Sequence, residues 1–329
     1  MKMNWVKKAE DAEKRIRGYI RMTPVELSYS LSQVGNCHVY LKLENYQITG
    51  SFKLRGAANM LLSLSGAEKE KGVIAASSGN HGAAVAHLLH KMSIKGAIFL
   101  PNNANGAKIS ALRAYGVRLE SFGTDVCETE MYARETARKK DRVFIPPYNH
   151  PKIIAGQATV GLELQKQLSS IDVVFVPIGG GGLASGVAGY LKLSDKSIEI
   201  IGCQPENSAV MHESVKAGRI VEMESKSTIA DGTAGGIESD SLTFECCRQY
   251  VDDFVLVSED EIKDAILLML EKHSILVEGA AALSIAAFIK TRKRYENRNV
   301  VLIISGKRIS VDTLRYVLNN GSDRLINRE

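Results

Sequence analysis

The sequence predicts an α/β fold in which parallel-rich, twisted sheets are flanked by helices on both faces. Short apolar runs rich in β-branched residues alternate along the chain with stretches whose apolar positions recur with the period of a helix. This alternation is typical of parallel sheets whose strands are joined by crossover helices. Nine such runs are many for one sheet, and a chain of 329 residues is long enough for two.

The predicted strands are separated by helical or turn-rich segments. In chain order they are His38–Glu44, Gly72–Ser77, Gly96–Leu100, Val117–Phe122, Val143–Pro146, Asp172–Ile178, Ile198–Gln204, Phe254–Val257 and Val300–Ser305. Helical spacing is clearest over Ala83 to Lys91, Asp125 to Lys140 and Glu259 to Lys272.

The composition is that of an ordinary soluble protein, with 45% apolar and 24% charged residues. The net charge of +5 is dispersed. The basic runs at residues 138–140 and 292–294 come at the ends of helical patterns, where cations complement the helix dipole. No aromatic residues interleave with these charges, so nucleic-acid binding is not predicted.

The five cysteines are odd in number, scattered and without a CxxC pair, which predicts a reducing, cytoplasmic location. The N-terminal segment carries Lys2, Lys7, Glu10 and other charges, which argues against a signal peptide. No run of 18 apolar residues is present, so no membrane contact is predicted.

Lys53 is the candidate nucleophile, in the segment Gly50-Ser51-Phe52-Lys53. We expect it two or three residues into a helix that begins after the Gly-Ser pair. An amine near a helix N-terminus and beside an aromatic ring has its pKa lowered by positive charge and desolvation, which suits Schiff-base chemistry. A solvated lysine on an exposed helix face is the alternative.

Two glycine-rich turns each follow a predicted strand and precede a helical pattern. The first is Ser77-Ser78-Gly79-Asn80-His81-Gly82, and the second is Gly179-Gly180-Gly181-Gly182. Such turns direct free backbone N–H groups at an anion, and glycine lets the anion approach closely. Together with Lys53 they fit a cofactor with a phosphate and a substrate with a carboxylate.

These motifs occur in an order that resembles a known family. Gly-Ser-Phe-Lys-x-Arg-Gly, Ser-Ser-Gly-Asn-His-Gly, the tetraglycine loop and Ser305-Gly306 are similar to those of fold type II pyridoxal-phosphate enzymes. Within that group the chain resembles the serine/threonine dehydratases, including threonine dehydratase, serine racemase and hydroxyectoine-utilisation dehydratases. The resemblance runs from about Thr23 to about Ser310 and extends to segments such as Val277-Glu278-Gly279-Ala280.

The resemblance implies two domains of the tryptophan synthase β-like kind, with pyridoxal 5'-phosphate in the cleft between them. The large domain would comprise residues 1–68 and 149–329, and a small domain, residues 69–148, would be inserted in it. The short segment after Ser305 would leave no room for the regulatory domain of biosynthetic threonine dehydratases. Feedback inhibition by an end-product amino acid is therefore not expected.

The resemblance also assigns roles to individual residues. Lys53 would hold the cofactor and act as base, and Ser78 would return a proton on the opposite face. Further cofactor contacts would come from Phe52, Asn80 (phenolic oxygen), Gly179, Gly180, Gly181, Gly182 and Leu183 (phosphate) and Ser305 (pyridine nitrogen). The substrate carboxylate would bind to Ser77, Ser78, Gly79, Asn80 and His81, although a purely structural role for the His81 ring stays open.

A dinucleotide site is the rival interpretation of the tetraglycine, because Gly179-x-Gly181-x-x-Ala184 matches a relaxed Rossmann fingerprint. That fingerprint requires an acidic residue at the end of the next strand. Glu199 falls inside the predicted strand, which ends in Gln204 instead. The phosphate of pyridoxal is therefore favoured.

Two departures from the family pattern stand out. Gly306-Lys307-Arg308 replaces the usual Gly-Gly-Asn and places two more cations near the site entrance. Gln204 and Val210 replace the carboxylates that bind a divalent cation in some relatives. Hard cations prefer charged oxygen ligands, so no metal site is predicted.

The resemblance implies a dehydratase (ammonia-lyase) that converts a small β-hydroxy amino acid, L-threonine or L-serine, to a 2-oxo acid and ammonia. The alternatives within the fold are a serine racemase and a dehydratase for a hydroxyectoine-derived amino acid. The alternative from another class is a non-catalytic amino-acid or nucleotide binder. The resemblance further implies a homodimer whose ligand is a small-molecule amino acid.

Overall fold

A computed structural model gives the fold of residues 3–321. Lys2 and residues 322–329, which belong to the predicted N-terminal segment and large domain, lie outside the described residues. No helix in the described range is long and apolar enough to cross a membrane.

Ten strands are present in the described range. They are β1 (Val25–Leu27), β2 (His38–Lys42), β3 (Val73–Ala76), β4 (Gly96–Leu100), β5 (Arg118–Ser121), β6 (Val143–Phe144), β7 (Val173–Pro177), β8 (Glu199–Pro205), β9 (Asp253–Val257) and β10 (Asn299–Ile303).

Fourteen α-helices separate or flank these strands within residues 3–321. They are α1 (Trp5–Ile16), α2 (Tyr29–Gly35), α3 (Lys53–Leu62), α4 (Gly66–Lys71), α5 (Asn80–Met92), α6 (Gly106–Arg113), α7 (Val126–Lys139), α8 (Pro151–Gln167), α9 (Gly182–Ser194), α10 (Val210–Ala217), α11 (Leu242–Tyr250), α12 (Glu259–His273), α13 (Gly279–Thr291) and α14 (Val311–Asn320).

The strands form two sheets, which confirms the predicted fold class. The six-stranded sheet has the order β1–β2–β10–β7–β8–β9, and the four-stranded sheet has the order β5–β4–β3–β6. Every pairing is parallel except that of β1 with β2. The domain boundaries at residues 68/69 and 148/149 stay a prediction.

Each of the nine predicted strands overlaps an observed one, and only β1 was missed. This strand has three residues and pairs antiparallel with β2 at the edge of the larger sheet. Three residues are too few to show a period of two, so the sequence pattern carries no signal there.

The central strands read as continuous apolar runs because helices cover both faces of the larger sheet. In β10, Val300 and Leu302 enter one core with α12 and α13, whereas Val301 and Ile303 enter the other with α8 and α9. Neighbouring residues thus alternate between two cores, as the geometry of a strand requires.

The smaller sheet reverses its direction of growth at β3. The chain passes from β3 to β4 and β5 on one side, and β6 then pairs on the other side of β3. Such a reversal opens a crevice between the loops that follow β3 and β6. The loops after β3 and β6 begin at Ser77 and Ile145, so the predicted Ser77–Gly82 turn lies at this crevice.

A buried cluster of charges joins β2, α3 and α8 close to this region. Arg55 is fully buried and donates to both oxygens of Glu44 at 2.8 Å. It also donates to both oxygens of Glu163, at 2.9 and 2.7 Å. Lys42 adds a further bond of 2.7 Å to Glu163. Burial alone would raise the pKa of Glu163. The charges of Arg55 and Lys42 outweigh this effect of burial and hold the pKa at about 2.

We predict that Glu163→Gln lowers the free energy of unfolding by about 3–5 kcal/mol, because it leaves the buried Arg55 and Lys42 without part of their counter-charge. Urea unfolding at pH 7 measures this loss. The pKa of Glu163 is lower in the folded chain than its ordinary value of 4.5. The ionised Glu163 therefore contributes its full stabilisation of the fold above about pH 4.5. The difference between wild type and variant should therefore shrink as the pH falls from about 4.5 towards 2.

Glu135→Gln is the matched control, because Glu135 pairs with Lys139 on an exposed helix face. It should leave the unfolding free energy almost unchanged, because a solvent-exposed ion pair contributes little to stability. Equal losses in the two variants would contradict the special role of the buried cluster.

Candidate active site

Lys53 is the first residue of α3, not the second or third as the sequence suggested. Phe52 occupies the N-cap position, and its N–H donates to the carbonyl of Ser305 at 3.1 Å. Ser51 makes a bridge with Gly306 and does not cap the helix. The Gly50-Ser51 pair therefore contacts the loop after β10, and α3 begins two residues after Ser51, at Lys53.

The Lys53 amine lies deep in the cleft although its side chain keeps some exposed surface. Nζ donates to the carbonyl of Pro147 at 2.8 Å and lies 5.4 Å from the centre of the Phe52 ring. Burial lowers the pKa of Lys53 to about 8, even though the Glu130 and Glu278 charges act to raise it. The pKa of Lys53 is thus lowered, as the sequence predicts, and desolvation is the largest cause of the shift.

The Ser77–Gly82 turn connects β3 to α5, and α5 begins at Asn80. The Ser77 hydroxyl accepts from the N–H of Gly79 at 3.1 Å, which closes the turn. A Cβ atom at Gly82 would overlap the Ser77 carbonyl, so only glycine fits there. Ser78 is half-buried, and its hydroxyl has no hydrogen bond to the described part of the chain.

The His81 ring serves the packing of the smaller sheet. It is 3% exposed, and Nε2 lies 3.0 Å from the carbonyl of Ile145. Burial and the nearby Lys53 charge lower its pKa to about 3, so the ring is neutral at physiological pH. Any contact of His81 with a substrate would thus come from its backbone N–H.

The Gly179–Gly182 loop joins β7 to α9 at the carboxyl end of the larger sheet. The first-turn N–H groups of α9 have no partner within the helix and form an anion cradle. A Cβ at Gly180 would lie 2.7 Å from ring atoms of Tyr148, and Gly181 has a φ of +81°. Glycine is therefore required at position 180 by the packing of Tyr148 and at position 181 by the backbone turn. These two reasons add to the predicted one, the close approach of an anion. Leu183 is buried in the core and contributes only backbone.

Ser305 lies near the start of the loop that follows β10 and is 2% exposed. The two cations that follow it both turn towards the segment before Lys53. The Lys307 N–H donates to Gly50 O at 3.0 Å, and its amine lies over the Tyr46 ring. Arg308 Nε donates to Thr49 O at 3.3 Å.

Sequence reasoning missed Glu278, which lies between the Ser77–Gly82 turn and the loop after β10. Its carboxylate accepts from Asn80 Nδ2 at 2.8 and 3.0 Å and from the Arg308 N–H at 2.8 Å. The only signal was its position in the Val277-Glu278-Gly279-Ala280 segment, where one carboxylate stands among small and apolar residues.

A second missed group connects the two sheets through Arg134 of α7. Its Nη2 donates to Glu130 at 2.6 Å and to Glu238 at 2.9 Å. Glu238 also accepts from Asn149 Nδ2 at 2.9 Å, and its N–H donates to the Tyr148 hydroxyl at 3.1 Å. Glu130 is a local i,i+4 partner of Arg134. Glu238, however, lies 104 residues from Arg134 and 89 from Asn149, so no local pattern could have joined it to them.

Gln204, at the position where the sequence predicts no cation site, spans the turn before α10. Its Oε1 accepts from the His212 N–H at 2.7 Å, and its Nε2 donates to the Ser208 carbonyl at 3.5 Å. In residues 3–321 no group of three or more His, Cys, Asp and Glu side chains is placed to hold a metal ion. The predicted lack of a metal site stays a prediction.

The dinucleotide interpretation finds no support in the geometry. Glu199 begins β8 and therefore lies at the amino end of the strand, away from the glycine loop. Its carboxylate accepts from Arg298 at 2.8 Å. Gln204, at the carboxyl end, carries no charge for a ribose hydroxyl.

The described residues fit pyridoxal phosphate. Ser51 Oγ and Asn80 Oδ1 are buried and have no hydrogen-bond partner in the described range, which is rare for buried polar atoms unless a ligand completes them. Lys53 contacts Pro147, next to the Tyr148 ring that packs on the glycine loop before α9, and the Phe52 N–H donates to the Ser305 carbonyl, so these groups lie near one another. An amine, a phosphate site and a hydroxyl are the groups that this cofactor needs.

Comparison with known proteins agrees with this chemistry. The profile of the family described as "Pyridoxal-phosphate dependent enzyme" matches residues 16–306. The L-threonine ammonia-lyase of Thermotoga maritima is 39% identical over 312 residues, which covers 95% of this chain and 77% of that protein. The catabolic L-threonine dehydratase of Escherichia coli is 39% identical over 309 residues, or 93% of this chain and 94% of that protein.

Solved structures show the same fold. The processed threonine deaminase isoform 2 of Solanum lycopersicum superposes with a TM-score of 0.90 and 34% identity, covering 96% of this chain and 92% of that one. Maize serine racemase superposes with a TM-score of 0.89 and 33% identity, covering 95% and 96%. With a matching profile over most of its length and these relatives, the chain belongs to the pyridoxal-phosphate dependent enzyme family.

Proposed function

We propose that this protein is a pyridoxal-phosphate-dependent dehydratase that converts L-threonine or L-serine to a 2-oxo acid and ammonia. The observation that carries the proposal is the buried Lys53 amine, which contacts the Pro147 carbonyl beside the glycine loop and whose helix start is bonded to the Ser305 carbonyl. The names of the relatives, L-threonine ammonia-lyase and L-threonine dehydratase, support the substrate class.

When bound, the cofactor supplies an electron sink for the bonds at the substrate Cα. Lys53 has two tasks in this chemistry, to hold the cofactor and to accept the Cα proton. With a pKa of about 8, roughly one Lys53 amine in ten is neutral at pH 7, whereas an ordinary lysine would be almost wholly charged. Its bond to Pro147 O keeps the amine directed into the cleft.

The first turn of α5 would hold the substrate carboxylate through backbone N–H groups at residues 78–81. The neutral His81 adds no charge beside Lys53. At the other edge of the cleft, the Ser305 hydroxyl would hold the ring nitrogen by a hydrogen bond. A hydroxyl does not keep that nitrogen protonated as a carboxylate would, which favours prompt loss of the β-hydroxyl over longer-lived carbanion chemistry.

Serine racemisation is the second candidate activity. The likeness to maize serine racemase favours it, as does the Ser78 hydroxyl, which has no hydrogen bond to the described residues. Racemisation needs an acid or base on each face of the substrate, and Ser78 would serve the face opposite Lys53.

The proposal extends to assembly and location. A homodimer is supported by apolar side chains left exposed, among them Tyr29 (77%) and Val311 (71%). A reducing cytoplasm is supported by the cysteines, all five of which are free thiols. The two-domain division at residues 69–148 is supported by the separate four-stranded sheet.

We predict that Lys53→Ala abolishes the violet absorbance of the bound cofactor and nearly all 2-oxo acid release, while the protein stays folded. The test is a 2-oxo acid release assay over a panel of β-hydroxy amino acids, together with an absorbance spectrum and an unfolding curve. Lys95→Ala removes an exposed lysine between α5 and β4 that has no side-chain hydrogen bond or ion pair to the described residues, and it should leave all three measurements unchanged. A Lys53→Ala protein with wild-type product release would refute the central assignment.

Chelator treatment should leave activity largely unchanged, because the neutral Gln204 amide already joins Ser208 and His212. Activity is measured before and after exhaustive chelation and again after magnesium or calcium is returned. A large loss that either cation restores would mean that other groups, such as Glu206, form a cation site.

Ser78→Ala should erase D-serine formation and attack on D-substrates, while dehydration of L-threonine or L-serine persists with a loss of about 10–100-fold. Dehydration of an L-substrate needs only the base on the Lys53 side. Both products are measured from one preparation of the variant. Equal and complete loss of the two activities would show that Ser78 mainly holds the carboxylate or the loop.

A further inference from the structure

Glu278 occupies a helix N-cap position but does not cap its helix. It precedes α13 with extended backbone, it is 4% exposed, and its side chain makes no hydrogen bond to the first turn. A side-chain oxygen at this position ordinarily accepts from the N–H groups of that turn and stabilises the helix. The Glu278 side chain instead turns away from α13, towards the cleft.

Its partners come from the ends of two strands in different sheets. Asn80 follows β3 of the smaller sheet and Arg308 follows β10 of the larger one, and both donate to the same carboxylate. The Glu278 N–H adds a bond of 3.1 Å to the carbonyl of Gly306. A single residue therefore ties the Ser77–Gly82 turn to the loop that carries Ser305.

This carboxylate is kept in the interior without an ion pair to any described residue. Burial raises its pKa, the bonds from Asn80 and the Arg308 N–H act to lower it, and the more distant Asp231 and Lys108 act in opposite directions. A buried acid without a paired cation is costly and tends to be found at functional sites. If this position were needed only for packing, an apolar or amide side chain would fill it at a lower desolvation cost.

The contact determines which way the Asn80 amide faces. An ionised carboxylate can only accept, so the NH₂ group of Asn80 must point at Glu278. One N–H of that group and the buried Oδ1, which has no partner among the described residues, remain for the cleft. An amide at position 278 could also donate, and Asn80 would then be free to turn around.

We propose that Glu278 is a positioning residue that fixes the Asn80 amide and the Ser305 loop relative to each other at the two edges of the cofactor ring. The proposal rests on the cofactor site of the proposed function, in which Asn80 donates to the phenolic oxygen. An N–H donor there stabilises the ionised form of that oxygen. Glu278 acts on the cofactor only through Asn80 and the loop.

The test uses the resting protein and needs no turnover. Glu278→Gln should raise the midpoint of the pH-dependent change in cofactor absorbance by about one pH unit and weaken cofactor binding to the apoprotein by about tenfold. Absorbance titration and equilibrium dialysis measure the two effects, and urea unfolding of the apoprotein checks the fold. Glu199→Gln, at the amino end of β8 and away from the loops that carry the site, should change neither the midpoint nor the affinity.

A double-mutant comparison separates positioning from a direct effect. In an Asn80→Ala background the Glu278→Gln change should lose its influence on the absorbance midpoint, because the group through which it acts is gone. Glu278→Asp keeps the charge but withdraws the carboxylate oxygens by one methylene. It should therefore raise the absorbance midpoint, as Glu278→Gln does. It serves in place of Glu278→Gln if that variant does not fold.

An unchanged midpoint and affinity in a folded Glu278 variant would overturn the inference, as would a shift that persists without Asn80. A wild-type protein that shows no violet absorbance with added cofactor would instead refute the proposed function. The two failures are therefore distinguishable in one set of measurements.

Discussion

The buried pairing of Arg55 with Glu44 and Glu163 is the constraint on which the site depends. Arg55 lies two residues after Lys53, on the first turn of α3, and four of its hydrogen bonds go to these two carboxylates. Charges in a low-dielectric interior are stable only with near-complete hydrogen bonding, so small displacements of α3 are costly. The start of α3, and with it the direction of the Lys53 side chain, is thereby held against the larger sheet.

The second constraint is the short segment Pro147–Asn149 at the end of the smaller sheet. Its three residues contact Lys53, the glycine loop and Glu238 in turn. Because Tyr148 packs where a side chain at Gly180 would lie, the loop can hold its shape only with glycine. At this segment the contacts are made by the Pro147 carbonyl, the Tyr148 ring and the Asn149 amide, so the first-turn N–H groups of α9 stay open to an anion.

The electrostatics of the cleft follow from burial more than from any single charge. Desolvation lowers the pKa of Lys53 and of His81 and raises that of Glu130 and of Glu278. In each case burial shifts the pKa in the direction of the neutral form, as expected when ionisable groups leave water. A cleft of this kind suits an amine that must be neutral to react and a substrate carboxylate that is neutralised by backbone N–H groups.

The sequence by itself determined the strands, the fold class and the short motifs, since each depends on residues close together in the chain. Lys53, the Ser77–Gly82 turn and the glycine loop are recognisable because strand, turn and helix signals are local. The tertiary structure alone decided that Ser51 bridges to Gly306, that Tyr148 packs on the glycine loop and that Glu278 joins Asn80 to the Arg308 loop. Such contacts join residues up to 255 positions apart in the chain, and their geometry exists only after both sheets have formed. A residue such as Glu278 therefore looks like any other acid in the sequence, and its function follows from burial and from the partners that folding brings to it.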